Sequence, residues 1–462
     1  MATTRMTFPT IYFVAGEVSA DNHGAALMRC LRELEPQLKF IGRGGPQMQQ
    51  CAGNQFKNWI GDAAVLGLWE VLRKYGYFRE QFRETLKEIQ ENKPDAVVLI
   101  DYPGFNLRLA RALQRQSPQE KVIYYISPQV WAWNPGRVKR MARSIDLVLC
   151  IFPFETDLYK KSGIRAVFVG HPMMERLQAR KIDIEGDPNL IGLFPGSRSR
   201  EVRKIFPIMI ETARQLLRGK PTLNFQVAAA SEELAREMKR MLTHHLNFLP
   251  SEGGEEKLQA ACIASGSMSA ASSRDHKQST TSGDSLSSSV DAAGTPLPLS
   301  RGEGRVRGES SLNPQVIQIK VGETAKIMQR ARAGIVASGS ATLEAAYFQM
   351  PFVLVYKVAW PTYLAARAVV NVNYLGMPNL LADKQVVPEF IQQQAKPDAI
   401  AKAMGPLVED VQARQQMISA FDAIISKLGG GGASEHAAQA IVEEIKERRS
   451  PSRPGAPEAA AP

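Results

Sequence analysis

The feature that most restricts how this chain folds is a recurring pair of signals: a short unbroken apolar run, then a stretch of helical periodicity. Ala96-Val-Val-Leu-Ile100 is the clearest run. It shows no alternation of polar and apolar residues, so both of its faces must be covered, as in a strand inside a parallel sheet. Thr10–Val14, Phe40–Gly42, Val122–Ile126, Leu147–Ile151 and Ala166–Val169 also read as strands, with helical stretches between them. Parallel neighbours need a crossover, and the helices supply it. The first part is therefore a doubly wound α/β sheet.

The rhythm restarts near Leu190, with strands at Ile191–Phe194, Asn224–Ala229, Gln315–Ile319, Ala333–Ala337 and Pro351–Tyr356. It is interrupted from Ser251 to Leu312, where no Phe, Tyr or Trp occurs and Ser, Gly and Ala dominate. Such a segment buries too little apolar area to offset its ordering entropy, so a disordered surface-loop insertion is expected. The expected division is 1–175 and 186–405 as two Rossmann-like domains, 406–448 as closing helices and 449–462 as a disordered tail. Two such domains in tandem imply a cleft between them, a favoured ligand site.

Bulk properties exclude several classes. The 462 residues carry a net charge of +11, which fits an anionic partner. No zinc-finger spacing or RNP-type aromatic motif accompanies it, so nucleic acid is not the expected partner. No apolar run reaches the ~18 residues of a spanning helix, and no signal peptide is seen. Cys30, Cys51, Cys150 and Cys262 form no CxxC pair; three lie in or near apolar segments, so reduced core thiols are the default reading. The histidines are scattered, so no metal is expected.

Several segments follow strands and carry chemistry-bearing residues. Asp101 stands at the carboxyl end of Ala96–Ile100, where open α/β sheets bind ligands. By position alone it is either a helix cap or a reactive carboxylate. Ala15-Gly-Glu-Val-Ser-Ala-Asp-Asn-His-Gly24 follows the first strand and is not a GxGxxG fingerprint. Ser19 or Asp21 in it serves equally well as a plain N-cap. Pro195-Gly196-Ser197-Arg198 exposes backbone amides beside a forked cation, which suits a diphosphate, but it lacks the Lys-Ser/Thr of a P-loop. Ser338-Gly-Ser340-Ala-Thr342-Leu-Glu344 repeats the logic, either as a cap or as amides for phosphate with Glu344 for ribose hydroxyls. Trp131 and Trp133, beside Arg137, Lys139 and Arg140, read as core packing or as an aromatic-basic pocket. Val65–Arg79 has the composition of an interfacial helix, or of a buried helix edge.

Taken in order, AGEVSAD, GGPQM, IDYPGFNLRLA, YYISPQVWAW, FVGHP, GLFPGSR, ASGSATLE and MPNLLA resemble the lipid-A-disaccharide synthases. These are glycosyltransferases of the GT-B type, and the match runs from about Ile11 to Ile445, apart from the insertion. The resemblance implies a UDP-2,3-diacylglucosamine donor and a 2,3-diacylglucosamine 1-phosphate acceptor, joined into a β-1,6-linked disaccharide phosphate with release of UDP. It implies a soluble or peripheral protein at the inner face of the cytoplasmic membrane, no cofactor, and leaves a homodimer open. A sugar-nucleotide epimerase of similar two-domain fold is the alternative enzyme.

Inversion at an anomeric carbon needs a carboxylate to take the proton of the attacking hydroxyl. By the resemblance Asp101 is the expected base, with His23 as the alternative. Glu17 and Ser19 are expected on the acceptor side, Trp133 in an acceptor pocket, and Asn106 in substrate binding. Gly196, Ser197 and Arg198 are expected to hold the diphosphate, Ser340, Thr342 and Glu344 the nucleotide, and Asn379 the nucleotide or sugar. The chain departs from the family at Ala20, where members commonly carry Gly, and in the insertion.

Overall fold

The structure, a computed structural model, describes residues 9–63, 75–128, 136–247, 316–360, 363–364, 367 and 372–449. The Ser251–Leu312 insertion, the Trp131/Trp133 loop, most of the Val65–Arg79 segment and the tail beyond Arg449 lie outside these residues.

Two parallel sheets carry the chain. The first contains β1 (Thr10–Ala15), β2 (Lys39–Gly44), β3 (Phe56–Asn58), β4 (Ala96–Ile100), β5 (Lys121–Tyr125), β6 (Leu147–Cys150) and β7 (Arg165–Phe168), in the spatial order β3-β2-β1-β4-β5-β6-β7. The second contains β8 (Asp187–Phe194), β9 (Asn224–Ala229), β10 (Ile317–Val321), β11 (Ala331–Ala337), β12 (Phe352–Tyr356) and β13 (Glu389–Ile391), in the order β10-β9-β8-β11-β12-β13. Every pairing is parallel. The fold is the expected pair of doubly wound α/β sheets.

β4 shows why its sequence has no polar alternation. Ala96, Val98 and Ile100 enter the core cluster on one face, and Val97 and Leu99 the cluster on the other. Some strand ends differ from expectation. The strand expected at Val122–Ile126 is Lys121–Tyr125, because Ile126 adopts φ +61°, a region β-branched residues avoid and strands cannot use. The strand expected at Gln315–Ile319 lies at Ile317–Val321. Edge strands β3 and β13, three residues each, lack the apolar run that marks the interior strands.

The last helix, Ala433–Arg449, leaves the second sheet and returns to the first. It buries Ala437, Ala438, Ile441 and Ile445 in the same cluster as Ile11, Phe13 and Leu27. Its buried Glu444 is held by Lys121 at 3.1 Å and Arg165 at 2.9 Å. A smaller apolar cluster joins the two halves: Ile151, Phe152, Met174 and Leu177 from the first meet Leu343 and Leu428 from the second.

Candidate active site

In the first sheet the order of strand addition reverses between β1 and β4, which opens a crevice at their carboxyl ends. Ala15 pairs with Ile100, so Gly16-Glu17 and Asp101 leave the sheet side by side. Gly16 is required there, since a Cβ would meet the Tyr102 ring at 2.5 Å. Asp101 and Tyr102 adopt φ +45° and +49°, left-handed conformations that cost non-glycine residues about 1–3 kcal/mol each.

The strain is held in place by hydrogen bonds. The Asp101 N–H donates to the Tyr125 carbonyl at 3.1 Å. The Asp101 carbonyl accepts from Asn106 Nδ2 at 2.8 Å and from the Tyr124 hydroxyl at 2.6 Å. Asn106, fully buried, also reaches the Ile100 carbonyl at 3.2 Å. It fixes the backbone that carries Asp101, a positioning task rather than a place on the cleft surface.

Burial, and then the Glu17 carboxylate, raise the Asp101 carboxyl from 3.8 to about 6. Glu17 itself is exposed at the start of the helix Val18–Leu34, without a side-chain cap bond, and Ser19 is exposed two residues on. Ala20 is buried inside that helix, where the departure from Gly imposes no strain. Asp21 does not cap its own helix. Its carboxylate accepts from the backbone N–H groups of Gly45, Gln47 and Met48 at 3.0, 3.0 and 2.9 Å, closing the start of the helix Pro46–Ala52.

His23 faces the boundary between the halves. Burial, and then Arg176, lower its imidazole to about 4. His171 behaves alike, lowered to about 4 by burial, His23 and Arg176, while its Nδ1 accepts from the Met173 N–H at 3.1 Å. Arg176, on the helix Met173–Gln178, reaches across to Glu344 at 3.0 Å. Burial raises the Glu344 carboxyl, opposed by Arg176 and Arg180.

The second sheet reverses between β8 and β11, and both Gly-Ser turns emerge there. Gly196 adopts φ +111°, and a Cβ would lie 2.8 Å from a Glu201 carboxylate oxygen. Ser197 is exposed. Arg198, 66% exposed, pairs with Glu201 at 3.1 Å. Exposed pairs of this kind contribute about 0–1 kcal/mol, so an incoming anion displaces the carboxylate readily. The helix Ser199–Gly219 starts at this turn, and Ser340 opens the helix Ser340–Tyr347 beside it, exposed.

Two residues expected to touch ligand are occupied otherwise. The buried Thr342 hydroxyl donates to the Gly339 carbonyl at 2.8 Å, closing its own turn. Asn379 is fully buried, and all its hydrogen-bonding positions are used. It donates to the Val387 carbonyl and to Glu389, and accepts from the Val386 and Val387 amides, all at 2.7–2.8 Å. It ties the helix Met377–Ala382 to β13. Trp133 lies outside the described residues. Sequence reasoning missed Arg176, His171, Glu201 and Glu389, whose partners are distant or whose residue types carry no local signal.

The sequence model of the lipid-A-disaccharide synthetases matches residues 11–271 and 302–442. The break at 272–301 falls within the expected insertion. The chain is similar to the lipid-A-disaccharide synthase of Geobacter sulfurreducens, 34% identical over 450 residues, 96% of this chain and 99% of that protein. The synthase of Acidobacterium capsulatum is 33% identical over 96% of this chain and 97% of its own. Among solved structures, a putative UDP-N-acetylglucosamine 2-epimerase from Listeria monocytogenes superposes with TM-score 0.52 at 10% identity, covering 96% of this chain and 97% of that one. That likeness is of fold alone. The epimerase likeness stops at the fold, at 10% identity, whereas the synthetase match runs through both sheets and all the described turns: the chain belongs to the lipid-A-disaccharide synthetase family.

Proposed function

We propose that the cleft between the two reversal points joins two acylated glucosamines, with the acceptor on the first sheet and the UDP-sugar on the second. The activity is that of the family: a UDP-2,3-diacylglucosamine donor and a 2,3-diacylglucosamine 1-phosphate acceptor give the β-1,6-linked disaccharide 1-phosphate and UDP. The observation that carries the assignment of roles is Asp101, a strained carboxylate at a reversal point whose pKa is raised to about 6.

In the reaction the acceptor O6–H gives its proton to Asp101. O6 forms the new bond to the donor anomeric carbon, and the bond from that carbon to the UDP oxygen breaks on the opposite face. The electron pair leaves with the diphosphate. A base works best when its pKa lies near the working pH, which favours Asp101 at about 6 over His23 at about 4. His23 stays neutral at pH 7 and packs the boundary between the halves. Glu17 and Ser19 line the acceptor side, and Asn106 fixes the loop of the base.

On the donor side, Arg198 exchanges Glu201 for the diphosphate, and the amides at Gly196, Ser197 and Ser340 add donors at helix starts. Glu344 keeps one carboxylate oxygen on Arg176 and offers the other to ribose hydroxyls. Thr342 and Asn379 hold the turns that present these groups. Among the described residues no helix is long and apolar enough to cross a membrane. The +11 charge supports peripheral attachment to an anionic cytoplasmic membrane face, where an acylated acceptor resides.

The test is UDP release by the purified full chain with the diacyl donor, with and without the phosphorylated acceptor. Release that requires the acceptor supports transfer. Turnover of the donor without acceptor sinks it in favour of an epimerase-like or hydrolytic reaction.

A further inference from the structure

The mechanism above uses none of the arginines that follow Asp101 in the chain. Between Asp101 and Asp146 the chain holds eight Lys and Arg residues and one acid, Glu120. Four of the arginines converge. Arg108 and Arg111 on the helix Pro103–Gln116, and Arg137 and Arg140 on the helix Gly136–Met141, line one cavity of about 200 Å³. Its lining has no Asp or Glu. Leu107 and Met141 supply an apolar floor along which arginine stems can lie.

Arginines elsewhere divide between those with an ion-pair partner and those, such as Arg115 and Arg143, with none among the described residues. Arg43, Arg165, Arg176, Arg198, Arg203 and Arg214 each pair with a carboxylate. Among the described residues none of the four around this cavity does. Arg111 Nε donates to the Leu107 carbonyl at 3.0 Å, which anchors its stem and leaves its two terminal nitrogens for another partner. Four guanidinium groups gathered without counter-charge repel one another, and an oxyanion with several acceptor oxygens relieves this best.

Position narrows the anion. The lining includes Pro103 and Gly104, two and three residues beyond Asp101. Arg108 lies five residues further into the helix than Pro103, about 7.5 Å along the axis at ~1.5 Å per residue. At about 200 Å³ the space is below the roughly 300–1,000 Å³ of pockets that enclose whole ligands, so it takes one polar group and not the acylated body. We propose that this cavity is a phosphomonoester site that receives the phosphate of the lipid acceptor and so points the far side of the sugar ring, with its hydroxyl, toward Asp101. The assignment rests on the acceptor reading above and adds to it the residues that recognise the phosphate.

The test uses the purified full chain in detergent micelles, with Arg108→Gln, Arg140→Gln, the double variant and Arg140→Lys. The acceptor is supplied with and without its phosphate, and both equilibrium binding and UDP release are followed. The expected result is a loss of about tenfold in affinity for the phosphorylated acceptor per arginine removed. KM for the donor and for the phosphate-free acceptor stays unchanged, and Arg140→Lys retains part of the preference. Equal losses for both acceptors would overturn the proposal, as would a wild-type protein that does not distinguish them. Variants that keep the phosphate preference but no longer bind phosphatidylglycerol vesicles would also overturn it, making the cavity a membrane headgroup site. A wild-type chain that binds the phosphorylated acceptor through these arginines yet releases no UDP would refute the transfer reading and leave the phosphate site standing.

Discussion

Replacing Asp101 by Asn separates the cost of the carboxylate proposed as the base from its benefit. Asn tolerates the left-handed backbone at φ +45° and keeps nearly the same volume, so the loop survives the change. The unfolded carboxyl ionises near 3.8 and the folded one near 6. Between those values the folded state holds a proton that the unfolded state has already lost. Stability present below 3.8 therefore declines as pH rises through 6, by about 3 kcal/mol for a shift of this size at 1.36 kcal/mol per unit. Asn never ionises and escapes that loss. Urea unfolding at pH 5 and pH 8 reads the difference: Asp101→Asn is more stable than the parent at pH 8, and the gap narrows toward pH 5. Its kcat falls about 10²- to 10⁴-fold, the usual contribution of a general base. In the parent, kcat/KM drops as pH falls below 6, and that acidic limb disappears from the residual rate of the variant. A variant no more stable at pH 8 than the parent, or one that retains near-parental kcat, refutes the reasoning.

Other substitutions probe the supports of the cleft. Gly196→Ala places a Cβ 2.8 Å from Glu201 at φ +111°, so the turn shifts and donor KM rises about tenfold or more, while acceptor affinity is unchanged in a direct binding assay. Asn379→Ala strands two backbone amides and a carbonyl, costing about 2–4 kcal/mol, seen as a lower thermal unfolding midpoint with donor affinity still measurable at low temperature. Asp21→Ala removes the acceptor of three backbone amides and destabilises the first half by about 2–4 kcal/mol, while the pH dependence of kcat/KM set by Asp101 stays in place.

Much of the fold was legible because interior parallel strands announce themselves. Ala96–Ile100 is apolar on both faces, as an interior strand must be, and it pairs in parallel with Thr10–Ala15. Strand ends were less legible. The left-handed turn at Ile126 that stops β5 depends on its tertiary surroundings, and the three-residue edge strands carry no apolar run. The site divides similarly. The positions of Asp101, the Gly196–Arg198 turn and Ser340 were legible because each lies just after a strand. Asn379 and Thr342 look like ligand contacts in a motif, but their hydrogen bonds are spent on Val386, Val387, Glu389 and Gly339.

The sequence by itself determined the two parallel sheets, the residues that stand at their carboxyl ends, and the family, since these rest on local runs and ordered motifs. The tertiary structure decided which of those residues are exposed, which are buried, and in what state. Burial beside Glu17 brings Asp101 near 6, and burial beside Arg176 lowers His23 to about 4. Arg176 meets Glu344 across 168 residues of chain. Four arginines from two helices close round one cavity. Desolvation and charge proximity are properties of packed neighbours, and no local window of sequence contains them.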